Sequence, residues 1–113
     1  MSQTITIGGA SGFWGDAALA TPQLLASAQL DYIVYDYLAE ITMSIMARAR
    51  AADDSKGYAT DFISSVLAGN LKAISEQGVK VIANAGGVNP SACAEAARAL
   101  IAEQGLNLSL IHI

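Results

Sequence analysis

Cysteine, proline and charge are all scarce in this chain, and each scarcity closes off a class of protein. One cysteine, Cys93, excludes an internal disulfide and leaves no thiol cluster for a structural zinc, so no metal is expected. Six scattered Lys and Arg against ten Asp and Glu give a net charge of −4, which offers nothing to a phosphate backbone and excludes nucleic acid as a partner. No uncharged run reaches the roughly 18 residues that a membrane span needs, and two of the longest contain Pro22 or Pro90. The opening "MSQTITI" has no basic segment followed by an apolar core, so no secretory signal is read and the expected compartment is the cytoplasm. The composition is 53% hydrophobic and only 14% charged, which suits a single domain that buries well and solvates poorly.

Three short β-rich runs are present: Thr4–Ile7, Asp31–Asp36 and Val79–Ala83. The second has a nearly continuous apolar centre, as in a parallel strand covered on both faces. Helical patterns separate the runs. Thr21 reads as an N-cap with Pro22 in the first helical position, opening a short helix through Ala28. Ala39–Ala52 reads as a longer helix with Ile41, Ile45 and Ala49 on one stripe. "ADDSKGY" is a polar turn. From Thr60 to Gln77, Ile63, Leu67, Leu71 and Ile74 follow helical spacing, and Gly78 supplies a left-handed stop. Asn89 caps a last helix with Pro90 at its start and Gly105 beyond its end. The order β-α-β-α-α-β-α predicts an α/β fold, a parallel β-sheet with flanking helices.

The tail "LNLSLIHI" alternates like a fourth strand. Its last six residues, 108–113, also match one reading frame of a common transposon-derived sequencing adapter, and they are read as a non-native tail. On that reading residues 1–107 are the N-terminal part of a larger α/β domain, and His112, the only histidine, carries no functional argument.

In parallel α/β sheets the ligand crevice lies at the carboxyl ends of the strands. Three loops fall there: "GGASGFWGD", "DYLAE" and "NAGGVNP". Their glycines let backbone N–H groups approach a ligand closely, and their acids and amides offer polar contacts. The candidate ligand-binding residues are Gly9, Ser11, Gly12, Phe13, Asp16, Asp36, Asn84, Gly86, Gly87 and Asn89. Asp36 and Glu40 are the candidate catalytic acid/base pair, since a strand end and the following turn can bring two carboxylates together. Against that, Glu40 can simply open a helix and favour its dipole. Asn84 and Asn89 also serve as turn residue and N-cap. Trp14 reads as packing, Cys93 as a buried inert thiol, Met43 and Met46 as core, and Asp53-Asp54 as a solvated turn.

The spacing Gly9-x-x-Gly12-x-x-Gly15 also resembles the dinucleotide loop of short-chain dehydrogenases, with Asp36 where a ribose-binding acid would sit and "ANAGG" similar to that family's "NNAG". A pyrophosphate needs a helix that starts within the glycine motif. Here the start signal lies at Thr21-Pro22, with Asp16 in between, so a nicotinamide-dependent oxidoreductase is the alternative reading rather than the first.

The segments "ITIGGASGFWGD", "LDYIVYDYLAEITMSIMARAR", "GYATDFI" and "VKVIANAGGVNPSACAEAARAL" together resemble the acyclic terpene utilisation family, the AtuA type. The likeness runs from about Ile5 to Gly105 in matching order and spacing. It implies a role in the breakdown of acyclic terpenoids of the citronellol and geraniol type, alongside acyl-CoA-processing enzymes. The implied ligand is a small molecule or an acyl-CoA-type compound, and an acyl-CoA carboxylase-type protein is an implied partner. A non-catalytic subunit of such a complex is the third reading. The resemblance supplies a pathway rather than a reaction, and it names no cofactor.

Overall fold

The computed structural model describes residues 3–12, 14–27 and 29–110. Strands β1 (Ile7–Ser11), β2 (Tyr32–Tyr35) and β3 (Lys80–Ala83) form one parallel sheet in the order β1-β2-β3. Helix α1 (Ala17–Ser27) joins β1 to β2. Helix α2 (Glu40–Ala52), a π-helical segment (Phe62–Leu67) and α3 (Ala68–Gln77) join β2 to β3, and α4 (Pro90–Glu103) follows. Element order and strand direction are those expected from the sequence.

The strand order advances in one direction, and right-handed crossovers then return every connection on the same side. Among the described residues the sheet accordingly has one covered face and one bare face, so β2 is covered on one side only and not on both as its apolar run predicts. Gly8, Ile33 and Val81 share a register row on the covered side, with Ile33 fully buried. Ile33 alone contributes about 1.5–3 kcal/mol by leaving water. The next row, Gly9, Val34 and Ile82, faces away from the helices and is exposed at all three positions. Tyr35 continues the covered side. It stacks on Tyr37 with ring centroids 6.1 Å apart, and both rings meet Phe62 edge-on. This aromatic triplet, with Val66, Leu71 and Ile74, is the centre of the core.

Four local expectations are revised by the structure. The first strand is not Thr4–Ile7 but the glycine-bearing Ile7–Ser11. Thr6 is instead the junction: its N–H donates to Asp31 Oδ2 and its carbonyl accepts from the Asp31 and Tyr32 N–H groups. β-propensity marks residues that fit a pleated surface, but ladder partners decide which of them pair. Secondly, α1 starts at Ala17, so Thr21 is not its cap and Pro22 sits inside the helix. Two tertiary contacts favour that start: Ala17 is fully buried, and the fully buried Thr21 spends its hydroxyl proton on the Ala17 carbonyl (2.8 Å). The Thr21 oxygen is left to accept the Tyr35 hydroxyl (2.9 Å).

Thirdly, the 60–77 helix is continuous but not uniformly α. The Ala68 N–H reaches back five residues to the Ile63 carbonyl, a π-type bond. Lastly, the Ile41/Ile45 stripe of α2 does not face the core. Ile41 is 71% exposed and Ile45 45%, while Met46 is the buried residue. The remaining helices end where expected. Gly78 stops α3 with φ +68°, and Asn89 caps α4. After α4, residues 106–110 form no helix or strand, with Leu106, Leu108 and Leu110 half-buried against the core. They have no ladder partner among the described residues, and the tail residues 111–113 lie outside the description.

Candidate functional site

All three loops emerge at the carboxyl edge of the sheet, and a hydrogen-bonded bridge ties their roots together. Ser11, the last residue of β1, accepts the Asp36 N–H on its hydroxyl (2.9 Å) and donates to the Asp36 carbonyl (3.3 Å). The Asp36 carboxylate takes the Asn84 amide through Oδ1 (2.7 Å), and the same oxygen meets the Leu38 N–H at 3.4 Å. Asn84 uses its own Oδ1 to accept the Tyr37 N–H at 2.7 Å. One side chain from each strand end is therefore locked to its neighbour. Asp36 and Asn84 remain exposed.

The glycine loop supplies its own anion. The Gly12 N–H donates to Asp16 Oδ2 (2.8 Å), so the group that would greet a phosphate already holds a carboxylate. Asp16 immediately precedes α1 and places a negative charge at its positive end. The expected obstacle to a dinucleotide, an interruption at Pro22, is absent because the helix runs through that residue. The helix still begins beyond Gly15, and Asp16 occupies the intervening position. Trp14 is half-buried, and its indole N–H bonds Asp61 Oδ1 at 2.5 Å, which anchors the loop to the start of the 60–77 helix. Phe13 lies outside the described residues.

On the covered side of the same edge, two polar atoms are buried with no partner among the described residues: Asp16 Oδ1 and the Tyr37 hydroxyl. Burial pushes the Tyr37 phenol far above its usual pKa, and the nearby charges of Asp61 and Asp16 add to the shift. Tyr37 and Asp61 were not singled out in the sequence. Tyr37 falls in the loop "DYLAE" that follows the Asp31–Asp36 run, and only the fold shows that its ring is buried.

The third loop is built tightly. A Cβ at Gly87 would stand 2.4 Å from Met46 Sδ and 2.7 Å from the Gly57 carbonyl, and one at Gly86 would stand 2.9 Å from Pro90 Cα. Asn89 is buried. Its Oδ1 accepts the Ala92 N–H, and its amide donates to the carbonyls of Asp54 (3.0 Å) and Lys56 (2.9 Å). Packing and capping thus account for Gly86, Gly87 and Asn89. Glu40 is the exposed first residue of α2, and among the described residues no hydrogen bond joins it to Asp36. Burial raises the Cys93 thiol to about 11, so it stays protonated near neutrality.

Beside this edge, a cavity of about 140 Å³ lies between Trp14, Met46, Lys56 and Tyr58. A larger, open depression of about 880 Å³ lies at the opposite edge, around Thr6, Leu30 and Gln77. It is away from every strand-end loop. Among the described residues no cluster of three or more His, Cys, Asp or Glu could hold a metal ion, and no helix is long and apolar enough to cross a membrane.

Fold and site together define an α/β protein with a one-sided parallel sheet and a polar, glycine-lined carboxyl edge. A family model described as acyclic terpene utilisation family protein AtuA matches residues 5–113, and the chain belongs to that family. No curated protein and no solved structure matches it.

Proposed function

We propose that this chain serves acyclic terpenoid breakdown of the citronellol and geraniol type. It does so by binding a terpenoid, free or as an acyl-CoA-type thioester, at its strand-end loops. The observation that carries the reading is the Ser11–Asp36–Asn84 bridge on an exposed sheet edge, in a chain of the acyclic terpene utilisation family. Only Oδ1 of the Asp36 carboxylate carries hydrogen bonds among the described residues, which leaves Oδ2 to accept a ligand hydroxyl. Asn84, pinned through both its amide atoms, holds that carboxylate in place. The acidic edge also selects against a bare phosphate in the glycine loop, because Asp16 already fills the Gly12 N–H. The cytoplasm is the compartment proposed for this activity.

Calorimetric titration tests the reading with geraniol, the coenzyme A thioester of the corresponding ten-carbon acid, free coenzyme A and NAD(P)H. Saturable binding of the alcohol or the thioester is expected, weakened at least tenfold by Asp36→Ala with circular dichroism unchanged. Absence of terpenoid binding, or equal affinity in Asp36→Ala, overturns it. Binding of NAD(P)H instead would favour the oxidoreductase reading.

A further inference from the structure

The two unpartnered atoms on the covered side of the carboxyl edge belong to one cluster. The Tyr37 hydroxyl can donate and accept, whereas Asp16 Oδ1 can only accept. Buried polar groups are nearly always hydrogen-bonded, so two of them in one place call for a physical account. Tyr37 is 1% exposed, and its ring is held against Tyr35 and Phe62, so the hydroxyl has no way to turn toward water. It faces negative charge instead. Burial raises its pKa first, Asp61 and Asp16 raise it further, and no basic side chain offsets them.

Both carboxylates have one oxygen bonded and one open among the described residues. Asp16 gives Oδ2 to the Gly12 N–H, and Asp61 gives Oδ1 to the Trp14 indole. Asp16 precedes α1 and Asp61 lies in the first turn of the 60–77 helix, where the dipole favours a negative charge. Directly after Asp61 that helix winds as π, from Phe62 to Leu67, a form that recurs at functional sites. Trp14 joins the cluster to the cavity of about 140 Å³, where Met46 and Tyr58 stand on the same wall. At roughly 30 Å³ per water in the liquid, that space suits a chain of about five heavy atoms. Lys56, also on that wall, is exposed, and its charge acts on Asp53.

We propose that the Asp16–Tyr37–Asp61 cluster binds a small primary amine as its ammonium, with the alkyl chain lying along Trp14 in the adjoining cavity. The three N–H donors of an ammonium match three acceptors: Asp16 Oδ1, the open oxygen of Asp61 and the Tyr37 hydroxyl oxygen. The positive charge answers two carboxylates, and an indole wall favours a cation further. A neutral hydroxyl brings one donor and no counter-charge. A calcium-like ion takes six or more oxygens, and no cluster of three or more His, Cys, Asp or Glu stands here among the described residues. The amine site does not rest on the terpenoid reading, which is centred on Asp36.

Trp14 is the only tryptophan of the chain, so its fluorescence reports the site directly. The full chain is titrated at pH 7 with n-butylammonium chloride. The controls are 1-butanol as the neutral match, ammonium chloride as the head group alone, and potassium chloride at equal ionic strength. A saturable change with n-butylammonium is expected, at least tenfold tighter than with 1-butanol or ammonium, and no change with potassium. Tyr37→Phe keeps the ring and removes the unpaired hydroxyl, so its melting temperature should hold or rise while amine affinity falls at least fivefold. Asp16→Asn should lower that affinity at least tenfold with circular dichroism unchanged. Absence of a saturable response to n-butylammonium overturns the proposal. Equal affinity for 1-butanol also overturns it, as does a potassium response of the same size, because charge on the amine would then not be what is read. Unchanged amine affinity in Tyr37→Phe overturns it too. Should that variant fail to fold, Asp16→Asn decides by the same criterion. None of these outcomes alters the terpenoid reading, which stands or falls at Asp36.

Discussion

Replacing Asn84 with alanine removes the side chain that ties the end of β3 to the end of β2. Two bonds of 2.7 Å disappear together: the Tyr37 N–H loses its acceptor and the Asp36 carboxylate loses its amide. The first loss is the larger, because Tyr37 is buried and its N–H is stranded without an obvious route to water. A stranded buried donor costs about 1–3 kcal/mol, and a hydrogen bond to an exposed carboxylate contributes at the lower end of roughly 0.5–1.5 kcal/mol. The expected loss is about 2 kcal/mol. Urea unfolding followed by circular dichroism measures it directly. With an m-value of about 1–3 kcal/mol/M, the midpoint should fall by roughly 1 M while the slope stays constant. A midpoint within the error of the unsubstituted chain would refute the argument that the bridge is a structural strut. Terpenoid affinity should fall at the same time, because the Asp36 carboxylate loses the amide that holds it.

Pro22→Ala should stabilise the chain. Proline inside a helix costs about 3 kcal/mol, its own stiffening of the unfolded chain returns about 0.4–1, and the residue is exposed, so a net gain of roughly 2 kcal/mol and a melting temperature raised by about 8 °C are expected in calorimetry. Gly87→Ala should cost more than about 2 kcal/mol by chemical denaturation, because a Cβ there meets Met46 Sδ and the Gly57 carbonyl at a φ of +54°. Cys93 should resist Ellman's reagent at pH 8 and react fully only after unfolding, since burial raises its thiol to about 11. The sign of the linked stability follows. Between pH 9 and about 11 the unfolded chain has released the thiol proton and the folded chain still binds it, so stability should fall as pH rises through that window, as a pH series of melting temperatures would show. The raised Tyr35 and Tyr37 phenols act in the same direction above their ordinary value of 10.

The sequence by itself determined the class of fold and which loops share one edge of the sheet, because both depend on local signals. Helical periodicity, the Gly78 stop and the Asn89-Pro90 cap are chemistry of adjacent residues, and the structure keeps all three. Parallel strands joined by helices put their carboxyl ends together, so Gly12, Asp16, Asp36, Asn84 and Gly87 could be placed at one edge without knowing a single distance. Tertiary contacts decided the rest. The start of α1 was set by burial of Ala17 and by Thr21 meeting Tyr35, which outweigh a proline signal read from neighbours alone. The glycines looked alike in the sequence, yet packing separates them. Gly86 and Gly87 make room for Pro90 and Met46, while Gly9 opens onto a bare face. The outward stripe of α2, the Tyr37 hydroxyl stranded near Asp16 and the single covered side of the sheet were also beyond local pattern. A side chain's partner across the fold is fixed by how whole elements pack, and residue spacing along the chain does not record it.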